Sequence, residues 1–300
     1  MITRRRFLKF LGWSAVGATS LGSYAFGIEP LARLKVTKYH ISPPGWTPGL
    51  KLKIVALADI HACEPWMSTD RIKHICATAN ELEGDMIVLL GDYASGMNLV
   101  TNYVHSDEWS KALSILKAPL GVHAIMGNHD WWEDLSAQRG ETEDTFGHRA
   151  LRTVGIPVYS NQSVRLEKDG YPFWLSGLED QLALRPGKKW GRMRFLGRDD
   201  LQTTLAQITD EAPVILMAHE PDIFPEIPDR VSLTLSGHTH GGQLRLFGYS
   251  PVVPSRYGNR YAYGHVVEEN RNLIVSGGLG CSIMPARFGS PPEIIVVELG

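Results

Sequence analysis

From residue 52 onward the chain sets short apolar runs between polar loops. Leu52–Ala58, Met86–Leu90 and Gly121–Met126 are such runs, and each ends in a polar block: Asp59, Gly91-Asp92 and Gly127-Asn128. Continuous apolar runs bounded by turn residues predict buried strands. Between the first two, Ile72, Ile75, Cys76 and Ala79 recur at spacings of three and four, which predicts a helix, and Glu108–Leu116 predicts another. An earlier strand is expected over Leu34–Ile41, followed by a Pro- and Gly-rich turn over Pro43–Gly49. The second half is richer in expected strands: Val158–Leu166, Tyr171–Ser176, Val214–Ala218, Val231–Ser236, Gln243–Phe247, Leu273–Ser276 and Glu293–Glu298, with Asp199–Ile208 as its clearest helix. Strand, loop and helix in rotation predict an α/β protein of two packed sheets flanked by helices. The polar blocks fall just past the C-terminal ends of strands, where sites in such sheets gather.

The first residues follow a different pattern. Thr3-Arg4-Arg5-Arg6-Phe7-Leu8-Lys9 is basic, and Phe10–Ile28 carries no charge. A positive stretch before an apolar one is the layout of an export signal. The basic run resembles the twin-arginine (Tat) motif, and the Gly-, Ser- and Ala-rich stretch after it fits that route, which carries folded cargo. Residues 1–28 are therefore expected to be a Tat signal read by the Tat translocon, and residues 29–300 one extracytoplasmic or periplasmic domain. Ser23-Tyr24-Ala25 offers a small-x-small cleavage site. Left uncut, the uncharged run is near the roughly 18 residues a membrane span needs, so residues 1–28 could also tether the chain to a membrane.

Net charge changes the picture by exclusion. At -2 the chain has no global attraction for nucleic acid, and its basic residues form no nucleic-acid-binding patch, so a phosphate-bearing substrate has to be held by a local site. Cys63, Cys76 and Cys281 are odd in number and form no CxxC pair, which argues against a disulfide framework or a Cys-rich zinc site. They read as two buried thiols and one near a site loop.

The polar blocks carry the chemistry. They are Asp59-x-His61, Gly91-Asp92, Gly127-Asn128-His129-Asp130, His219-Glu220 and Gly237-His238-Thr239-His240. Asp59 and Asp92 offer carboxylates, Asn128 an amide oxygen, and His61, His219, His238 and His240 imidazole nitrogens. One metal rarely needs so many donors, whereas two metals sharing a bridging carboxylate do. Mixed N and O donors suit divalent or trivalent Mn, Fe, Zn or Co.

Taken in order, the blocks resemble the signature of the calcineurin-like metallophosphoesterase superfamily: DxH, GD, GNH with an acidic residue, H, then GHxH. Gly237–Gln243, Leu216–Asp222, Ser176–Asp180, Ser276–Gly280 and Pro291–Ile294 resemble its YaeI/YkuE-like, Tat-exported phosphodiesterase branch. The resemblance implies a four-layer α/β/β/α sandwich. It implies that Asp59, His61 and His240 hold one metal, that Asn128, His219 and His238 hold the second, and that Asp92 bridges. It makes His129 the proton donor to the leaving oxygen and Asp130 the residue that orients His129. The expected reaction is hydrolysis of a phosphodiester or pyrophosphate by a metal-bridging hydroxide. A lipid-linked substrate such as UDP-2,3-diacylglucosamine is the analogy this branch suggests. The competing reading, a non-catalytic metal-bound envelope binding module, requires the loss of a ligand or of His129, and none is missing.

Other residues are weighed against blander roles. Trp131 and Trp132 read equally as an apolar substrate wall or as loop packing. Arg287 could bind a phosphate, but a surface ion pair is the preferred reading. His74, His105, His123, His148 and His265 match no block and read as structural or solvated. Residues 94–109 are a candidate lid by position only.

Overall fold

Alternation within single strands sorts the side chains into layers. In the strand Leu52–Leu57, Leu52, Ile54 and Ala56 enter one core while Val55 and Leu57 enter another. Met86 and Val88 are divided from Ile87 and Leu89 in the same way, as are Ile295 and Val297 from Ile294 and Val296. Successive side chains of a strand point to opposite faces, so a run with no polar position is one covered on both sides. The computed structural model describes residues 3–186 and 195–300. The first two residues of the signal-like segment lie outside the described residues.

The strands are β1 (Lys35–Ile41), β2 (Leu52–Leu57), β3 (Cys63–Glu64), β4 (Met86–Leu89), β5 (Asn102–Tyr103), β6 (Val122–Ala124), β7 (Gln162–Lys168), β8 (Tyr171–Gly177), β9 (Val214–Met217), β10 (Leu233–Ser236), β11 (Gly264–Glu268), β12 (Arg271–Val275) and β13 (Glu293–Leu299). The helices are α1 (Arg4–Ser23), α2 (Glu29–Ala32), α3 (Thr69–Glu81), α4 (Ser106–Leu113), α5 (Asn128–Trp132), α6 (Leu135–Gln138), α7 (Phe146–Thr153) and α8 (Leu201–Ala206). One sheet runs β1-β13-β2-β4-β6 and the other β11-β12-β10-β9-β8-β7. In the first, β2, β4 and β6 are parallel; in the second, β8, β9, β10 and β12 are.

The two sheets face each other through Ile54, Val88, Ile125 and Ile295 on one side and Phe173, Ile215, Met217 and Leu235 on the other. The outer face of the first sheet packs on α3, α4 and α7 through Ile75, Cys76, Trp109, Leu113 and Leu151. The outer face of the second packs on α8 and the 3-10 turn Pro221–Glu226 through Leu201, Leu205, Ile223 and Phe224. This is the expected four-layer α/β/β/α sandwich. Each fully buried aliphatic side chain contributes about 1.5–3 kcal/mol, so the inter-sheet layer can hold loops in costly conformations at its edge.

Three sequence expectations are corrected. Gln243–Phe247 is not a strand. Gln243 and Phe247 have φ of 52° and 50°, outside the extended region, and the segment makes only the isolated bridges Leu244–Phe288 and Leu246–Tyr249. The expected strand over Val158–Leu166 is split: Val158 bridges Ala124 of the first sheet, Asn161 turns the chain at φ 55°, and β7 begins at Gln162 in the second. The 94–109 segment is pinned rather than lid-like. β5 pairs with β3, the Tyr103 hydroxyl donates to Met97 O, and Trp66 Nε1 donates to Leu99 O. β11, α5, α6 and α7 have no counterpart among the elements that the sequence pattern predicts.

Candidate metal centre

Parallel strands end on one edge, so both sheets deliver their polar blocks to the same place. Asp59 follows β2, Asp92 follows β4, Asn128 follows β6, His219 follows β9, and His238 and His240 follow β10. All seven expected ligands are buried. Asp59, His61, Asp92, His238 and His240 have positive φ of 55°, 48°, 58°, 68° and 53°. Such a backbone costs on the order of 1–3 kcal/mol per residue and persists where the surroundings over-determine it, as at ligand sites. Gly127 has a different constraint: a Cβ there would lie 2.4 Å from Asp92 Oδ1 and 2.7 Å from the His219 ring. Only glycine lets the third block approach the second.

The carboxylates are each half engaged. Asp59 Oδ1 accepts the His238 N–H at 2.8 Å, and Asp92 Oδ1 accepts the His129 N–H at 2.8 Å. Asp59 Oδ2 has no hydrogen-bond partner among the described residues. Asp92 Oδ2 faces His61 Nε2 at 3.5 Å and His219 Nε2 at 3.3 Å, a position between the two expected ligand groups. One set of ligand atoms close enough to share an ion is Asp59, His61 and His240; another is Asp92, His219 and His238.

Backbone carbonyls only accept, so they fix two of the rings. His61 Nδ1 lies 3.0 Å from Ala94 O and His219 Nδ1 lies 2.6 Å from Leu90 O, which puts the proton of each neutral ring on Nδ1 and leaves Nε2 with a lone pair. In that neutral form His219 Nε2 points a lone pair at Asp92 Oδ2 and has no hydrogen-bond partner among the described residues. A positive charge has to resolve that contact, either a proton or a metal ion. His238 Nδ1 and Asn128 Oδ1 face each other at 2.8 Å in the same group. Burial pushes the imidazoles of His61 and His238 down to about 3, so both rings are neutral at neutral pH, the state a metal ligand needs. Burial pushes Asp59 up to about 7, the behaviour of a buried carboxylate short of a countercharge. The residues therefore fit metal ions.

Arg287 is neither on the surface nor able to reach a substrate phosphate. It is 0 % exposed. Nε donates to Gly280 O at 2.9 Å, Nη1 to Gly277 O and Ser290 O at 2.8 Å each, and Nη2 to Gly280 O and to His240 Nδ1, the last at 3.2 Å. Every guanidinium N–H is engaged. It ties the 277–290 loop to the back of His240. Because Arg287 only donates, His240 Nδ1 accepts and its Nε2–H points at His61 Nε2, 3.0 Å away. To hold an ion together with Asp59 and His61, His240 would have to shift its single ring proton from Nε2 to Nδ1, and the Arg287 Nη2 contact would have to give way.

Asp130 does not orient His129. Its Oδ2 accepts the N–H groups of Asp92 and Gly127, at 2.9 and 3.0 Å, and its Oδ1 accepts those of Tyr93 and Ala94, at 2.9 and 3.0 Å. The carboxylate that approaches His129 Nδ1 is Glu133, one helical turn on, with Oε1 at 3.4 Å, an ion-pair distance without hydrogen-bond geometry. On the other side, His129 Nε2 lies 3.3 Å from Ser282 Oγ. Burial lowers the His129 imidazole, but Asp92 and Glu133 outweigh it and hold the group above its ordinary value. Asp130→Ala leaves four buried N–H groups without an acceptor. At about 1–3 kcal/mol for each orphan, it is expected to cost at least about 3 kcal/mol of stability in urea unfolding. A variant as stable as the wild type but inactive would restore the orienting role.

The remaining residues separate. Trp131 is buried and donates from Nε1 to Glu179 Oε1 at 2.9 Å, so it packs the loop. Trp132 stands at the site, its ring 5.2 Å from that of His129 and stacked 5.1 Å from Phe195. His123 bonds to the Tyr159 hydroxyl and Leu120 O, and His148 pairs with Glu179, both structural roles. The three cysteines are buried and unpaired, and Cys63 and Cys281 share a small cluster with Met97. Behind the ligands, Asp180 and Glu220 are buried. Glu220 Oε1 is 3.9 Å from His238 Nδ1, and burial raises both carboxyls. Sequence reasoning gave these two no role, as it gave none to Glu133 and Ser282.

Residues 52–242 match the family described as calcineurin-like phosphoesterase. The chain is 32% identical over 307 aligned positions to the metallophosphoesterase YkuE of Bacillus subtilis, covering 99% of this chain and 98% of that one. It is 28% identical to phosphodiesterase YaeI of Escherichia coli, covering 100% of both. The chain belongs to the calcineurin-like phosphoesterase family and is a hydrolase with metal sites.

Proposed function

We propose that the chain hydrolyses a phosphodiester or pyrophosphate at a centre of two metal ions. The observation that supports this best is the buried Asp59 Oδ2, which has no hydrogen-bond partner among the described residues, beside the 3.3 Å approach of His219 Nε2 to Asp92 Oδ2, with His129 at the same edge. Asp59, His61 and His240 would hold one ion, Asn128, His219 and His238 the other, and Asp92 both. When bound, such ions make water acidic enough to attack phosphorus near neutral pH and neutralise charge on phosphoryl oxygens. The chain supplies the rest. The Asp92 Oδ1 bond to the His129 N–H fixes that residue relative to the centre, and Glu133 steadies the proton on Nδ1. His129 Nε2 gives its proton to the departing oxygen. Trp132 and Phe195 offer an apolar surface beside His129, which suits a lipid-linked substrate. Residues 1–28 would direct export through the Tat translocon, so that the domain works outside the cytoplasm. The test is hydrolysis of bis-(p-nitrophenyl) phosphate by chain stripped of metal and refilled with Mn or Zn. Turnover that requires the metal supports the reading, and equal turnover of stripped and refilled chain overturns it.

A further inference from the structure

The edge that carries the site also carries an apolar rim that the chemistry above does not use. Phe247 is 100% exposed, Ile283 84%, Val252 74% and Tyr249 62%, and Leu246 and Met284 are exposed beside them. Phe247 and Ile283 stand at positive φ, 50° and 62°. For a bulky residue that conformation is an outlier, so the chain accepts both backbone strain and exposed apolar surface at the same two tips.

The two loops form one structure. Gln243, the last residue of the Gly237–Gln243 block, donates from Nε2 to Met284 O and Ala286 O and accepts the Ser282 N–H at 2.6 Å. The Arg245 N–H donates to Phe288 O at 2.7 Å. The N-terminal segment joins the same rim: the Arg287 N–H donates to Ala25 O at 2.9 Å, and the Tyr24 ring meets Phe288 edge-on at 5.9 Å. From there runs α1, which buries no residue, exposes Phe7, Phe10 and Trp13, and begins with Arg4, Arg5, Arg6 and Lys9. No described helix is long and apolar enough to cross a membrane.

We propose that the rim formed by the 244–252 loop and the 282–284 tip docks on an anionic lipid bilayer, with α1 lying along the same surface. Apolar tips beside a basic, apolar helix fit the boundary between headgroups and acyl chains. Docking in this way places lipid at the mouth of the site, since Ser282, next to Ile283, lies 3.3 Å from His129. Docking of the rim does not depend on which phosphoester the site cleaves.

The test is co-sedimentation of the full chain with phosphatidylcholine vesicles, with and without phosphatidylglycerol, compared with Phe247→Asp/Val252→Asp. The wild type is expected to bind the anionic vesicles, and the double variant at least about tenfold more weakly, as removal of two inserted apolar side chains implies. Hydrolysis of bis-(p-nitrophenyl) phosphate in solution is expected to be unchanged, which shows that the variant is folded. If the double variant loses that activity, Phe247→Asp alone is measured and has to weaken binding with activity kept. Variants that bind like the wild type overturn the proposal, as does a wild type that ignores anionic vesicles.

Discussion

Asp92→Ala is expected to lose metal-dependent hydrolysis by more than about 100-fold. Removing a partner one step outside a metal's ligands already costs about 10–100-fold in affinity or activity, and Asp92 would touch both ions directly. Its two oxygens have separate tasks. Oδ2 faces His61 and His219 at 3.5 and 3.3 Å, and Oδ1 holds the His129 N–H at 2.8 Å. The substitution therefore weakens both ligand groups and frees the proton donor at once. Asp92→Asn keeps the shape and removes the charge, and it is expected to retain more metal than the alanine variant while remaining slower than the wild type. Activity at saturating metal, with the metal content of the same samples, checks both variants. Wild-type activity in Asp92→Ala would sink the assignment.

His129→Gln is expected to separate leaving groups. Positioned acid catalysis is worth about 10²–10⁴-fold where the departing oxygen needs a proton. An alkyl or sugar alkoxide needs one and p-nitrophenolate does not. The variant should lose kcat on an alkyl phosphodiester by that factor, with KM little changed, and lose far less on bis-(p-nitrophenyl) phosphate. An equal loss on both substrates would mean that His129 binds substrate or shapes the site instead of delivering a proton.

The convergence of the polar blocks on one edge was legible because strand ends are legible, while the assignment of ligands came from the resemblance to the family. Asp59, Asp92 and His219 each close an apolar run, and parallel strands with their polar residues at one end have to bring them to one edge. The helix over Ile72–Ala79 showed itself by period, and its buried face is formed by Ile72, Ile75, Cys76 and Ala79. Arg287 left no such trace. Its partners are three loop carbonyls and one ligand ring, and no spacing in the sequence encodes a backbone acceptor. Glu133 could have been found: it stands four residues after His129, and had Asn128–Trp132 been read as helical, the i,i+4 rule would have placed it there. Asp130 misled for a related reason, since adjacency in sequence at a helix start puts its side chain back onto the loop N–H groups. Gln243–Phe247 alternates like a strand, but that pattern comes from apolar side chains turned outward at a loop tip. β11 is an edge strand with His265 and Val267 exposed, so it lacks the apolar run that marks the inner strands.

Two ions held at this edge by both sheets together would be the basis of the chemistry proposed above. Elemental analysis of the full chain, stripped, refilled with Mn and freed of unbound metal, measures their number directly. The account predicts two ions per chain in the wild type and fewer in Asp92→Ala. A wild type that retains one ion or none under conditions where it turns over bis-(p-nitrophenyl) phosphate would contradict it.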